Sequence, residues 1–389
     1  MNNASSRMRK RLVLILDGLA EPDSPSTLQR AKTPYLDRLA QKGSVGLLDV
    51  QPCDREGEPT QPTSERGILS LCGWPADETV PSRALLLTQT LDKPLSFDCP
   101  HWVWLLNPAK ISGNRLERYV ENSPGALFWE EFLRRAALDP AASEFTFIPL
   151  RGSDGMLPRV LAFSRDTGDD PGKCFPPSRG LQIPGQGLAA MLVSLSGRLV
   201  PPNSEFNCVW PWGMGKWHPE TRSPNSDPNP AKWMIGAVPL AIGIGRSLGW
   251  HTQGVPGGTG DVNTSLENKR EAIHCALQTP HVSHVFCHIE GFDMASHRRL
   301  PSQKREFLER FDRTISPGLL DWLANGLLDD VWITSDHLSS PRTGDHAVGP
   351  VPYLHVGPTE IGGKNHRFSE DDAYLGNRMS LADWNRALE

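Results

Sequence analysis

A chain of 389 residues has room for one large domain or two medium ones around a sizeable core, and 38% hydrophobic with 22% charged residues is ordinary for a globular protein. A net charge of −5 attracts neither nucleic acid nor an anionic membrane surface, so neither is expected as a partner, and a phosphorylated ligand would need a local basic patch. The seven cysteines (53, 72, 99, 174, 208, 275 and 287) include no C-x-x-C pair, which argues against a disulfide framework or zinc ribbon and for reduced thiols in a cytoplasm.

In chain order, Met1 to Lys10 is polar and basic, and Leu12-Val13-Leu14-Ile15-Leu16 is continuously apolar, the pattern of a central strand covered on both faces. That run ends at Asp17-Gly18 and is too short for the apolar core of a signal peptide. A helix is predicted from Pro34, with Thr33 as its cap, Leu36, Leu39 and Ala40 as its buried stripe and Gly43 as its stop. A second helix is predicted after Pro62, with Ser64 in its first turn, Ile68, Leu69, Leu71 and Cys72 on its apolar side, and Gly73 at its end.

From about Pro100 to Pro201 the pattern is irregular and rich in Pro, Gly and Asp; Asp166 to Arg179 reads as loop and Ala126 to Ala137 as the one clear helix. Pro219 to Pro230 reads as another loop. Trp233 to Gly245, the longest nearly apolar stretch, contains Pro239 and is too short to span a bilayer, so the protein is expected to be soluble. Gly243-Ile244-Gly245 with Gly249 lacks the spacing of a dinucleotide-binding fingerprint and is set aside. Val285 to Ile289 and Val331 to Thr334 read as buried strands, and Lys304 to Ile315 and Leu319 to Leu328 as helices. Val351 to Val356 is a further strand, which Pro352 places near an edge or at a strand start. This alternation predicts an α/β fold with a mostly parallel sheet flanked by helices. Residues 1–100 and 201–389 would form its discontinuous core, with 101–200 as an inserted smaller domain.

The groups with chemistry to offer fall in five segments: Leu16-Asp17-Gly18, Pro62-Thr63-Ser64-Glu65, Gly291 to His297, Ser335-Asp336-His337 and Gly344-Asp345-His346. Three of them directly follow predicted strands, and ligands of open parallel sheets bind beyond the carboxyl ends of strands. Asp293 and His297 are four apart and would share one face of a helix, within reach of one cation. Asp336 and His337, adjacent at a strand end, are expected to diverge, serving one cation or bridging toward two. Carboxylate oxygen with imidazole nitrogen suits zinc, manganese or iron better than calcium. Ser64 is the natural nucleophile, since a metal or base can activate a hydroxyl and a helix N-terminus favours phosphate. Taken singly, each group has a plainer reading as a turn residue, a cap or a solvated side chain; their joint order at strand ends is what singles them out.

The same residues carry a family resemblance. Leu12 to Gly18 followed by Ala31 to Ala40 and Gly43 is similar to the opening of archaeal-type cofactor-independent phosphoglycerate mutases, of the alkaline phosphatase superfamily. Pro62 to Trp74 resembles their nucleophile segment, and Trp210 to Gly215, Ala237 to Gly249, Val255 to Gly260, Asn263-Thr264 and Lys269 resemble further blocks. His288 to His297, Asp312-Arg313, Thr334 to His337, His346 and Val351-Pro352 complete the likeness, which covers both ends of the chain. It implies an alkaline-phosphatase-like core with an inserted α+β domain and two divalent metals, manganese first, with zinc or magnesium accepted by the same ligands. Carried over by position, Asp17, Ser64, Asp336 and His337 would hold one metal and Asp293, His297 and His346 the other. Ser64 would accept the phosphoryl group as phosphoserine and return it to the glycerate's other hydroxyl, with no need for 2,3-bisphosphoglycerate.

The departures lie mainly outside this set. Glu65 stands for the family's aspartate, Ser82 to Thr88 for its "GRGPLEA" block, Glu290 in the region of a lysine and Ile242 where an arginine is usual, although Arg246 remains. Arg66, Arg83, Lys216, Arg246 and Lys269 are the remaining candidates for holding an anionic substrate. The expected activity is interconversion of 2- and 3-phosphoglycerate. The alternatives are a phosphohydrolase or phosphomutase acting on another small phosphoester, and a metal-binding homologue with a regulatory role, against which the intact Ser64 argues. Oligomeric state is left open.

Overall fold

The apolar run at the start of the chain forms the strand Arg11–Leu16, every residue of which is buried in the computed structural model of the protein. The structure describes residues 8–50, 62–75, 78–120, 125–150, 159–220, 229–358 and 367–389. They fall into two units, one comprising Met1–Val80 with Asp227–Glu389 and the other Pro81–Ser226.

In the first unit Arg11–Leu16 lies between two parallel neighbours, His284–Ile289 and Asp330–Thr334. The eight-stranded sheet runs Asn377–Ser380, Ser44–Asp49, Val351–Val356, Asp330–Thr334, Arg11–Leu16, His284–Ile289, Asn229–Gly236 and Trp250–Gly254. All its pairings are parallel except the two made by Val351–Val356. Pro352 is the second residue of that strand, as one of its two expected places required, and the strand is interior.

Helices cover the sheet with the stripes their spacing predicts. Leu36 and Leu39 of the helix Pro34–Lys42 and Phe307, Leu308 and Phe311 of the helix Pro301–Thr314 enter one core with Leu12, Leu14 and Leu16. Each such side chain contributes about 1.5–3 kcal/mol relative to exposure. Thr33 stands at the cap position of the first of these helices but makes no side-chain capping bond. The Asp312 carboxylate caps it from the other helix, accepting from Tyr35 N at 3.2 Å and Leu36 N at 2.7 Å. The helix expected over 319–328 is Ser316–Ala324. Gly243 and Gly245 lie inside the helix Pro239–Ser247, where a Cβ on Gly245 would come within 2.6 Å of Met234 Cβ, so Gly245 is a packing glycine.

The second unit corrects the expected insert. Its boundaries are wider than 101–200 because Cys208–Trp217 pairs with His101–Ser112, so both belong to one sheet. The unit is also far more regular than predicted. His101–Ser112 pairs along its other edge with Arg115–Tyr119 and Arg159–Arg165, and Thr146–Leu150 joins beyond the latter. The helices Ala126–Ala136 and Gly187–Leu199 pack on this sheet around Trp104, Trp129, Phe132 and Leu192. Asp166 to Arg179 lacks helix and strand, as read from its composition. The segment 221–228 of the expected 219–230 loop lies outside the described residues, and Asn229 and Pro230 already belong to a strand. No described helix is long and apolar enough to cross a membrane. Six cysteines are free thiols, and Cys53 lies outside the described residues.

Candidate active site

Three adjacent parallel strands of the first unit end side by side, and the chain after each carries acids or imidazoles. Asp17 follows Arg11–Leu16, the helix Gly291–His297 follows His284–Ile289, and Ser335-Asp336-His337 follows Asp330–Thr334. Two glycines allow the approach. Gly18 has φ +66°, and a Cβ there would sit 2.7 Å from Asp293 Oδ1. A Cβ on Gly67 would lie 2.2 Å from the Asp336 carbonyl, so the helix Ser64–Leu71 seats against that strand end only as glycine. Thr63 caps this helix by accepting from Arg66 N, which leaves Ser64 as its first residue.

One cluster of donors centres on His337 Nε2. Asp17 Oδ1, Asp336 Oδ2 and Ser64 Oγ each lie 3.3 Å from it. The remaining oxygens of the two carboxylates are committed: Asp17 Oδ2 accepts from His288 Nε2 at 3.1 Å and Asp336 Oδ1 from Gly18 N at 3.0 Å. Asp17 Oδ1 and Asp336 Oδ2 are buried without a hydrogen-bond partner. Two orphaned carboxylate oxygens facing an imidazole nitrogen and a hydroxyl form a donor set that fits a divalent cation. Asp336 and His337 therefore converge here instead of diverging as expected, because the chain leaves strand geometry after Thr334.

A second cluster adjoins the first. His297 Nε2 is 3.0 Å from Asp293 Oδ2, His346 Nε2 is 3.4 Å from Asp293 Oδ1, and the two imidazole nitrogens are 3.2 Å apart. The other nitrogen of each ring faces a carbonyl, His297 Nδ1 toward Gly344 at 2.8 Å and His346 Nδ1 toward Pro62 at 3.2 Å. Donation from Nδ1 leaves the neutral ring with its lone pair on Nε2, the tautomer a metal ligand needs, whereas the cationic ring carries a proton there and donates it to Asp293. Two lone pairs facing at that distance repel unless a metal cation or a proton sits beside them. His346 reaches the cluster from a short ladder in which it pairs with Ser339, whose hydroxyl donates to Asp293 Oδ1 at 2.8 Å. His337 is also within reach of Asp293 and His346, so the two clusters share a wall.

Charge crowding accounts for the proton affinities. Burial and the negative charge of Asp17 push the Asp336 carboxyl up to about 8. Burial opposes a charge on His337, but Asp336 and Asp17 outweigh it and raise the imidazole to about 10. For Asp17 and Asp293, burial pulls upward, while imidazole hydrogen bonds prevail and hold both below the usual carboxylate range. Such a site takes up positive charge as protons unless a cation replaces them.

Sequence reading missed the group behind Asp17. His288, wholly buried at the penultimate position of its strand, holds Asp17 with one nitrogen and Glu290 Oε1, at 3.0 Å, with the other. Glu290 Oε2 pairs with Lys269 Nζ at 3.2 Å, and that ammonium also donates to the His288 carbonyl at 2.5 Å. Burial works against the Glu290 charge, but Lys269 and His288 hold it down at about 2. The only signal was a histidine inside an apolar run, two residues before an acid.

Of the five cations expected to meet an anionic substrate, Lys269 is thus corrected: it has no exposed surface and is spent on Glu290. Lys216 and Arg83 belong to the second unit, Lys216 paired with Asp166 and Arg83 lying 5.1 Å from the centre of the Trp212 ring. Arg246, in the last turn of Pro239–Ser247, reaches Thr252 Oγ1 at 3.4 Å. Arg66 shares the helix of Ser64, and no acid pairs with it among the described residues.

The fold and sequence have known counterparts. The chain is 28% identical over 374 residues to the 2,3-bisphosphoglycerate-independent phosphoglycerate mutase of Methanosarcina acetivorans, covering 88% of this chain and 89% of that one. It is 28% identical over 399 residues to the enzyme of the same name from Methanoculleus marisnigri, covering 93% and 91%. Among solved structures, the PH0037 protein from Pyrococcus horikoshii superposes with a TM-score of 0.68 at 22% identity over 98% of this chain and 97% of that one. Cofactor-independent phosphoglycerate mutase from Thermoplasma acidophilum superposes with a TM-score of 0.55 at 19% identity over 97% and 98%. Residues 9–387 match a single family model that describes the Metalloenzyme superfamily, and the chain belongs to that family.

Proposed function

We propose that the protein is a phosphotransfer enzyme of the cofactor-independent phosphoglycerate mutase type, working through a phosphoserine at Ser64 and two divalent cations. The observation that carries this reading is the Ser64 hydroxyl, 3.3 Å from the His337 nitrogen on which the orphaned oxygens of Asp17 and Asp336 also converge. Archaeal relatives named as such mutases support it. Asp17, Ser64, Asp336 and His337 would hold one cation and Asp293, His297 and His346 the other, with manganese expected first. When bound, the cations supply the positive charge that lowers the pKa of a hydroxyl and neutralises phosphoryl oxygens.

The chain's own groups do the rest. Ser64 Oγ, its proton passed to water, attacks phosphorus; the new Oγ–P bond forms as the bond to the substrate oxygen breaks, and that oxygen leaves and takes a proton back from water. The other hydroxyl of the glycerate then takes the phosphoryl group from Ser64. Because the group never leaves the site, no 2,3-bisphosphoglycerate is required. His288 and Gly18 N hold the carboxylates of Asp17 and Asp336 in place throughout. A cytoplasmic location fits a small phosphorylated metabolite as substrate.

A second reading is a phosphohydrolase, in which water resolves the phosphoserine. It is favoured by one observation: Lys269 and Lys216 are engaged by Glu290 and Asp166, which thins the cations left to retain a product between half-reactions. Manganese-loaded protein given 3-phosphoglycerate distinguishes the two. Formation of 2-phosphoglycerate ahead of free phosphate supports the mutase, release of phosphate alone supports the hydrolase, and no turnover of any phosphoester contradicts both.

A further inference from the structure

A cavity of about 370 Å³ opens on the first unit between the Glu21–Arg30 segment, the start of the helix Pro301–Thr314 and Pro341-Arg342. None of the seven residues of the metal clusters lines it. Its walls carry the guanidinium groups of Arg30, Arg305 and Arg342 and the carboxylates of Glu21 and Asp23.

Both acids are already compensated. Glu21, buried at the floor, pairs with the wholly buried Lys304 Nζ at 3.0 Å and accepts from Thr27 N at 3.2 Å. Asp23 pairs with Arg342 at 3.5 Å and accepts from the Ser340 hydroxyl. Arg30 and Arg305 have no acidic partner among the described residues. In a chain whose net charge is −5, these two arginines give this concavity a local surplus of the opposite sign.

We propose that this cavity is a second anion site that takes a phosphate group, either free or carried on a small metabolite. Guanidinium forks match phosphate oxygens in pairs, and Arg30 and Arg305, from two different helices, both line this cavity. Lys304 offsets the repulsion that Glu21 would otherwise exert. The volume accommodates a phosphate or a small phosphoester with room to spare. The floor is also continuous with the metal clusters: Lys304 donates to the Ser339 carbonyl at 3.0 Å, and the Ser339 hydroxyl donates to Asp293 Oδ1 at 2.8 Å. Glu21, in the cavity wall, is thereby joined through Lys304 and Ser339 to Asp293. The site stands on its own residues and does not depend on the reaction proposed for Ser64.

The test is equilibrium dialysis of the manganese-loaded protein against labelled inorganic phosphate at millimolar concentration, wild type beside an Arg30→Ala/Arg305→Ala double variant. Both arginines are exposed, so folding and turnover are expected to stay within about twofold of wild type. The double variant should bind one phosphate fewer, and Arg30→Lys/Arg305→Lys should recover part of that binding at lower affinity. Equal phosphate counts in wild type and the alanine variant would overturn the proposal. Displacement of the cavity's label by glycerol phosphate assigns the group to a metabolite; its retention assigns it to free phosphate.

Discussion

Replacing Lys269 by methionine separates a substrate ligand from a structural ion pair. The ammonium has no exposed surface and bonds to Glu290 Oε2 and the His288 carbonyl. Methionine keeps an unbranched stem in the core but removes the largest influence holding the Glu290 charge in place. Removing one partner of a buried ion pair costs about 3–5 kcal/mol. His288 Nδ1 still meets Glu290 Oε1 at 3.0 Å, so the lower end, about 3 kcal/mol, is expected. For a domain of this size that loss lowers the Tm by about 6–12 °C. Scanning calorimetry of the metal-loaded proteins measures it, and the KM for 3-phosphoglycerate in the folded variant should move less than about threefold. An unchanged Tm with a KM raised about tenfold would refute the reasoning, because the ammonium would then be meeting substrate.

Three further predictions follow from the site. His288→Ala frees the Asp17 carboxylate and should weaken metal binding about 10–100-fold in a chelator competition, with His288→Asn recovering part of it through its amide donor. Gly18→Ala places a Cβ 2.7 Å from Asp293 Oδ1 at a φ of +66°, so metal content after dialysis should fall from two equivalents toward one or none. The third concerns pH. Asp336 at about 8 and His337 at about 10 lie above their ordinary values of 3.8 and 6.5 in the metal-free fold. Each binds its proton more tightly folded than unfolded, so each contributes stability at low pH that is lost as pH rises through those values. The Tm of chelator-treated protein should therefore fall between pH 7 and 10 while that of metal-loaded protein stays flatter; a rise in the chelated sample would contradict the charge arrangement.

The core sheet and the seven metal and nucleophile candidates were legible because a parallel sheet writes itself plainly. Its buried strands, such as 12–16 and 331–334, are continuous apolar runs, and functional groups sit where those runs stop. The second unit was not legible for an opposite reason. Its strands contain Pro108, Pro149 and Pro211, and Cys208–Trp217 holds two glycines, residues that ordinarily mark loops. Here irregular pairing absorbs them, with register shifts along His101–Ser112 against both Arg115–Tyr119 and Cys208–Trp217. His288 was hidden because strand periodicity cannot distinguish a buried imidazole that bonds two carboxylates from an ordinary strand residue. Lys269 was misassigned because charge alone does not reveal burial, which tertiary contacts decide. The approach of Asp336 to His337 depends on backbone turning after Thr334, beyond what adjacency in sequence encodes.

The most direct trial of the central claim is to find the phosphoryl group on Ser64. Manganese-loaded protein mixed with labelled 3-phosphoglycerate and quenched in acid within one turnover should carry label on the peptide containing Ser64, and Ser64→Ala should carry none while melting at the wild-type temperature. Turnover that leaves Ser64 unlabelled, or a Ser64→Ala protein that still moves phosphate at the full rate, would contradict it.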